Sequence, residues 1–232
     1  METIFKDEAI VLRKSFVGDF DLSITVYTRQ TGKENIYIPK GQIIKSNLIT
    51  ATEPFNWFSG VFKYIKGKLY LQEIDTYRNL ALPLAKDINR FSTAFDINFV
   101  FNRYVIFPDE RFFILLKKTL YYLSEGVNPE ILKINFLVKL IYLSGIFPEL
   151  DKCQQCSVKI NQKNFSVLSI EKAGCLCINC SSNREKFNNY SILNLLKKLK
   201  NISFKNIQNI NIQKKEIEKL DKFLNAYLSH HL

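Results

Sequence analysis

The sequence predicts an α+β protein: a five-stranded N-terminal barrel, then an all-helical domain with a small four-cysteine module inserted into it. Three observations carry this. The first 80 or so residues run in short β-branched stretches broken by turn residues; the apolar spacing then changes to three- and four-residue steps; and two C-x-x-C pairs interrupt the helical part. With 232 residues, 47% of them hydrophobic, the chain can bury a sizeable core and has room for two domains or one elaborated one.

Strands are expected over 9–12, 22–28, 34–39 and 68–74, where β-branched residues alternate with polar ones. Thr31-Gly32-Lys33 is a hairpin signal, Lys40-Gly41 ends the third strand and Lys66-Gly67-Lys68 precedes the last. Four or five short strands in this length suit a small closed barrel, whose open strand face and loops are a surface widely used for single-stranded nucleic acid. Helices are expected over 86–104, from Pro108-Asp109-Glu110 to Gly126, over 131–143, over 191–200 and over 214–228. The 131–143 run is apolar nearly all round and should be central and buried, whereas Ile217, Leu220, Leu224, Tyr227 and Leu228 form a single stripe. The Asn- and Lys-rich stretch 201–215 is the best candidate for a loose connection, although its spaced isoleucines argue against plain disorder. These signals divide the chain into a barrel over 1–79, a helical domain over 80–150 and 183–232, and an inserted module over 151–182.

The strongest chemical signal is Cys153/Cys156 and Cys177/Cys180, two C-x-x-C pairs with 20 residues between them. Each pair lets two thiolates converge on one ion, and two such turns joined by a hairpin provide the closed tetrahedral sulfur set of a structural Zn2+, with an iron site or redox chemistry as the lesser readings. Phe165, Val167 and Leu168 offer the apolar residues of that hairpin. Cys175 could replace Cys177 in another register, although C-x-C spacing suits a zinc turn less well. Four thiolates fill the coordination sphere, which disfavours an open catalytic metal.

Lys and Arg number 33 against 22 Asp and Glu, a formal net charge of +11 that favours a polyanionic partner. Codon drift towards AT-rich DNA also enriches Lys and Asn. The excess is uneven, with 14 basic and 6 acidic residues in 151–232 but 11 and 9 in 1–78. Arg13, Lys14, Arg29, Lys33, Lys40 and Lys45 lie on or beside the expected strands and are candidates for a phosphate track; Lys197, Lys198 and Lys200 are candidates at a helix end. A near-neutral barrel and a basic last third suggest that the C-terminal part carries more of the contact with a polyanion than the barrel.

Several classes are disfavoured. The only histidines, His230 and His231, are C-terminal, so an interior imidazole base is not expected, and no phosphate-cradling glycine–lysine loop occurs. The protein is therefore not expected to be an enzyme. No apolar stretch reaches membrane-spanning length and the first residues lack a signal-peptide pattern, so a soluble, cytoplasmic protein is expected. A zinc-stapled transcription or translation factor is the alternative, although no helix-turn-helix pattern is found.

The order of parts resembles the bacterial recombination mediator family RecO. Glu8-Ala9-Ile10-Val11-Leu12-Arg13, Gly18-Asp19-Phe20-Asp21, Gly32-Lys33 and Lys40-Gly41 look like its opening barrel. Pro108-Asp109-Glu110-Arg111-Phe112-Phe113, the run from Leu143 through Pro148 to Asp151, Ala173-Gly174 and the last helix look like its remainder. The resemblance implies an OB-type barrel, a helical domain with a zinc finger, and no enzyme activity. It further implies binding of single- and double-stranded DNA, annealing of complementary strands, the partner RecR, contact with the acidic C-terminal tail of single-stranded DNA-binding protein, and indirect action on RecA. Two departures stand out: Gln42-Ile43-Ile44-Lys45 replaces the arginine pair common after Lys40-Gly41, and Ala173 replaces one of two usual glycines.

Overall fold

The structure is a computed structural model and describes residues 3–43, 46–181 and 189–232. It forms two compact units, residues 1–129 and 130–232. The helical residues up to Ser124 cluster with the barrel, so the helical segment is shared between the units.

The first unit opens with strands β1 (Thr3–Val17), β2 (Asp21–Thr28) and β3 (Gly32–Ile38), a short helix α1 (Ser46–Ala51), then β4 (Trp57–Ile65) and β5 (Lys68–Arg78). They close into a barrel in the order β1-β2-β3-β5-β4, with β3 and β5 the parallel pair, the OB arrangement. Strand β4 was not among the expected strands. Closure depends on β1, which is long enough to pair with β4 through residues 3–10 and with β2 through residues 9–17.

A bulge between Val11 and Arg13 changes which side chains face inward. Before it, Ala9 and Val11 join the barrel core with Leu22, Ile24, Val26, Ile36, Phe58, Phe62 and Leu69. After it, Lys14 and Phe16 stand opposite the core residues Ile24 and Leu22, and Arg13 turns outward opposite Thr25. The other face of β1 is covered as well. Ile10 pairs with Tyr27, both fully buried, and the Tyr27 ring meets Phe101 edge-on at 4.9 Å.

That cover comes from α2 (Ala81–Ala85), α3 (Ile88–Tyr104) and α4 (Glu110–Ser124). Asp87 and Asp109 cap α3 and α4 by accepting hydrogen bonds from first-turn amides. Buried Asn98 of α3 donates to the Leu12 carbonyl at the bulge, 2.7 Å away. Buried Asn56 does similar work: its amide donates to the Thr50 carbonyl, and its Oδ1 accepts from the Leu80 and Ala81 amides. At the start of α4 the Tyr27 hydroxyl donates to the Phe107 carbonyl and accepts from the Asp109 amide. A Cβ on Gly32 would lie 2.9 Å from Pro108, so this approach needs glycine, whose φ of +78° is also best suited to it.

The second unit is built on α5 (Pro129–Leu143), buried at nine positions as its all-round apolar pattern predicts. Strands β6 (Phe165–Ser169) and β7 (Gly174–Cys177) form a hairpin, followed by α6 (Tyr190–Asn201) and α7 (Lys214–His231). The last carbonyls of α6 are taken by α5 side chains: Asn135 donates to the Leu199 carbonyl and Lys139 to that of Lys200. The expected loose connection is ordered instead, a 3-10 turn over Phe204–Asn209 held by buried Ile207, Ile210 and Ile212. The spaced isoleucines, which already argue against plain disorder in the sequence, outweigh the polar composition around them.

Glu8 of β1 ties barrel to helix. It accepts from the Trp57 indole at 2.8 Å and from Lys117 of α4, and it pairs with Arg29. Burial acts to raise the Glu8 carboxyl, but hydrogen bonds from Lys117, Trp57 and Arg29 outweigh it and hold the group below its ordinary value of 4.5. A depressed native value means that this stabilisation is complete above the ordinary range and is lost as pH falls through the native value. Glu8→Gln is expected to flatten the acid limb of the stability curve, read as urea midpoints between about pH 7 and about pH 3; parallel curves for both proteins would refute this.

Candidate metal centre and nucleic-acid interface

The four cysteines of the two C-x-x-C pairs come together in the second unit. The sulfurs of Cys153, Cys156, Cys177 and Cys180 all lie within 4.8 Å of one another. Cys156 and Cys177 Sγ are 3.7 Å apart, close to the roughly 3.8 Å edge of a tetrahedron with metal–sulfur bonds of about 2.3 Å. The residues therefore fit one thiolate-bound metal ion.

Each pair sits on a tight turn. In the first, the Ser157 amide donates to the Cys153 carbonyl, and Ser157 has a φ of +58°. In the second, the Cys180 and Ser181 amides both donate to the Cys177 carbonyl. The turns are cross-braced, since the Gln154 amide donates to the Cys175 carbonyl and that of Cys175 to Glu149. At Ala173-Gly174 the two positions have different needs. Ala173 holds a φ of +51°, which glycine would adopt without strain. Gly174 has no room for a side chain, because a Cβ there would lie 2.7 Å from the Glu149 carbonyl oxygen.

Burial acts to raise the Cys153 thiol, yet the amides of Cys156, Cys177 and Gln155 bring it down to about 6. Contacts with Cys156 and Cys177 push Cys180 up to about 12. Thiols this close resist ionising together, and a divalent cation removes that conflict. Cys175 is different: its side chain is fully buried, burial pushes its thiol up to about 12, and it lies outside the cluster. Protein purified without chelator is expected to carry one metal ion per chain by elemental analysis. Cys153→Ser should abolish that stoichiometry and Cys175→Ser should keep it; the reverse pattern would reassign the ligand set.

The expected basic residues divide into engaged and free ones. Lys14, with a side chain only 7% exposed, pairs with Glu53 at 2.7 Å and donates to the Ile49 carbonyl. Arg29 bridges Glu8 and Glu110. Lys33 donates to the Asn102 carbonyl, and burial lowers its pKa. Lys197 pairs with Asp151, and the Lys200 ammonium lies over Tyr142 and Phe147 at 5.1 and 4.9 Å. Arg13, Lys40 and Lys198 are exposed and in no ion pair among the described residues. Lys45 lies outside the described residues.

Outward-facing Arg13 is opposite Thr25, which pairs in turn with Asn35 of β3, and Ser15 is followed across the sheet by Ser23, Tyr37 and, on β5, Tyr70. This strand face is hydroxyl-rich, with two half-buried tyrosines and one free arginine. The Tyr37 hydroxyl is fixed by Asp21, which sets its ring in place. Sequence reasoning missed a second cluster, where Lys117 lies 3.8 Å from the Trp57 ring centroid and Arg78 4.4 Å from that of Tyr121, lining a cavity of about 570 Å³. Trp57 could have been found only by recognising β4.

A closed small barrel followed by helices and by a hairpin module that gathers four thiols defines the class of protein. Residues 1–79 match the family model for the recombination protein O N terminal region, and residues 108–232 match that for its C terminal region. Relatives include the DNA repair protein RecO of Thermoanaerobacter sp. (strain X514), 28% identical across 99% of this chain and 93% of the relative. That of Halalkalibacterium halodurans is 30% identical across 75% of this chain and 68% of its own length. The chain belongs to the RecO family of DNA repair proteins. Among the described residues no helix is long and apolar enough to cross a membrane.

Proposed function

We propose that this protein is a cytoplasmic, non-enzymatic recombination mediator. It binds single- and double-stranded DNA, anneals complementary strands and, with RecR, helps load RecA onto strands coated by single-stranded DNA-binding protein. The observation that carries this reading is the barrel's outward face, where Arg13 stands among hydroxyl side chains and the tyrosines Tyr37 and Tyr70. Such a face offers rings to bases and a cation to phosphate without selecting sequence. Family membership supports it, since the relatives are named DNA repair proteins.

The metal is Zn2+ with a structural role, held by Cys153, Cys156, Cys177 and Cys180, because an all-thiolate tetrahedral set is the preferred environment of that ion and leaves no open position. In the second unit, Lys197 and Lys200 beside Tyr142 and Phe147 line a cavity of about 550 Å³. Cations next to apolar rings suit the acidic tail of single-stranded DNA-binding protein, which needs charge and burial together.

The decisive experiment is annealing of complementary strands coated with cognate single-stranded DNA-binding protein, with and without that protein's acidic tail, across a salt series. Acceleration that requires the tail is expected; DNA binding with no acceleration at any salt would favour a zinc-stapled factor of another pathway. The basic last third should dominate the phosphate contacts. Reversing Lys198 together with Lys197 and Lys200 is expected to flatten the salt dependence of DNA affinity more than reversing Lys40 and Lys45; equal effects would refute the asymmetry.

A further inference from the structure

Two apolar features of the first unit are left unused by its own packing. One is a groove of about 870 Å³ between β1, α2 and α3, walled by Leu82, Phe91, Phe95 and Phe99. The three phenylalanines recur every four residues and so lie along one side of α3, where Phe95 is 61% exposed and Phe99 60%. The other feature is the β1–β2 turn, which leaves Phe16 73% and Phe20 56% exposed, with Val17 and Ile43 exposed as well. Its backbone is braced, because the Gln42 side chain donates to the Gly18 and Asp21 carbonyls and the Gln42 amide to that of Phe20.

The charges of the two features are opposite. Among the residues lining the groove, Lys14 and Glu53 neutralise each other, which leaves Arg13, exposed and in no ion pair among the described residues. Residues 16–20 carry one charge, Asp19, also exposed and in no ion pair among the described residues, and beside it Asp21 and Lys40 offset one another. Groove and turn are also neighbours on β1. Lys14 lines the groove, and Phe16 follows it on the same side of the strand, roughly 7 Å further along. A two-fold axis between two copies therefore lets each lay its turn in the other's groove while receiving the other's turn in its own.

We infer that two copies of this chain pair through this reciprocal contact, with Phe16 and Phe20 of each copy against Phe95 and Phe99 of the other and Asp19 of each on Arg13 of the other. Each feature supplies what the other lacks: rings for an apolar groove, a carboxylate for an unpaired guanidinium. The exposed apolar side chains of groove and turn together offer on the order of 800 Å² per copy, about what one partner contributes to a stable interface of standard size. A braced turn loses little conformational entropy on docking. The pairing goes beyond the DNA-binding reading and does not depend on it. Since Arg13 is also the free cation of the barrel's strand face, a strand lying there competes with the dimer.

The test is sedimentation equilibrium over a concentration series, without DNA, on the full chain and on Asp19→Arg, Arg13→Asp and Phe95→Ser. All three positions are exposed, so folding should survive, which circular dichroism and thermal midpoints check. Wild type is expected to dimerise, and each variant alone to dimerise about tenfold more weakly, through like charges or a lost ring. An equimolar mixture of Asp19→Arg with Arg13→Asp is expected to regain wild-type affinity as a mixed dimer, because both of its charge contacts are again opposite. A wild type that stays monomeric throughout the series would overturn the pairing and leave the groove to a different protein. A dimer that neither reversal loosens would show that the copies meet elsewhere, and overturn it too. Loosening without recovery on mixing would show a general charge effect and overturn the reciprocal contact.

Discussion

The structure of the first unit depends on one irregularity, the bulge between Val11 and Arg13. A five-stranded barrel closes only if its first strand serves two neighbours, and a strand that does so must bend sharply between them. The bulge provides the bend and at the same time exchanges the two faces of the strand. The basic pair Arg13-Lys14 is split by it: Arg13 goes to solvent, and Lys14 goes inward to Glu53 and the Ile49 carbonyl. The disturbed backbone is satisfied from outside the ladder, since Asn98 supplies a donor to the Leu12 carbonyl and the Val11 amide donates to that of Asn56. Helix α3 is thus fastened at the bulge of β1.

The second unit has a comparable dependence on the two cysteine turns. A short hairpin such as β6–β7 is marginal by itself. Here it is fixed at both ends, by the tetrathiol cluster and by the bonds between Glu149 and the Ala173–Cys175 segment. The four thiols could close the coordination sphere of one ion, and burial keeps the neighbouring Cys175 thiol protonated and outside the cluster.

How much of this could be read from the sequence varied with the kind of signal. The four thiols were legible because coordination needs fixed residue types at fixed spacing, and the helices because capping aspartates and prolines mark their starts. Strand β4 was not, since Trp57–Ile65 contains Gly60 and its pairing to both β1 and β5 is a long-range property. The bulge was illegible for a related reason: Ala9 to Leu12 is apolar throughout, as both faces of the strand are buried, so no alternation exists to show where the parity changes. Lysines and arginines were the least legible. Their type suggests phosphate, but their partners, such as Glu53 for Lys14 or the Asn102 carbonyl for Lys33, are set only by the fold.

That last point limits how the barrel can hold DNA. A cation already committed to a carboxylate or a carbonyl releases no counterion when a phosphate arrives, unless it first gives up its partner. Of the six basic residues expected along the barrel track, Lys14, Arg29 and Lys33 are committed, Arg13 and Lys40 are in no ion pair although Lys40 helps lower the Asp21 carboxyl, and Lys45 lies outside the described residues. Two free cations correspond to a salt slope of only about −1.4 on a single strand. Affinity beyond that comes from other barrel cations such as the exposed Lys66 and Lys68, from contacts that salt does not screen, or from the basic last third, where 14 basic residues face 6 acidic ones. A weak electrostatic hold on the barrel is compatible with annealing, because a strand gripped mainly through phosphates cannot turn its bases towards a complement as freely as one resting on rings and hydroxyls.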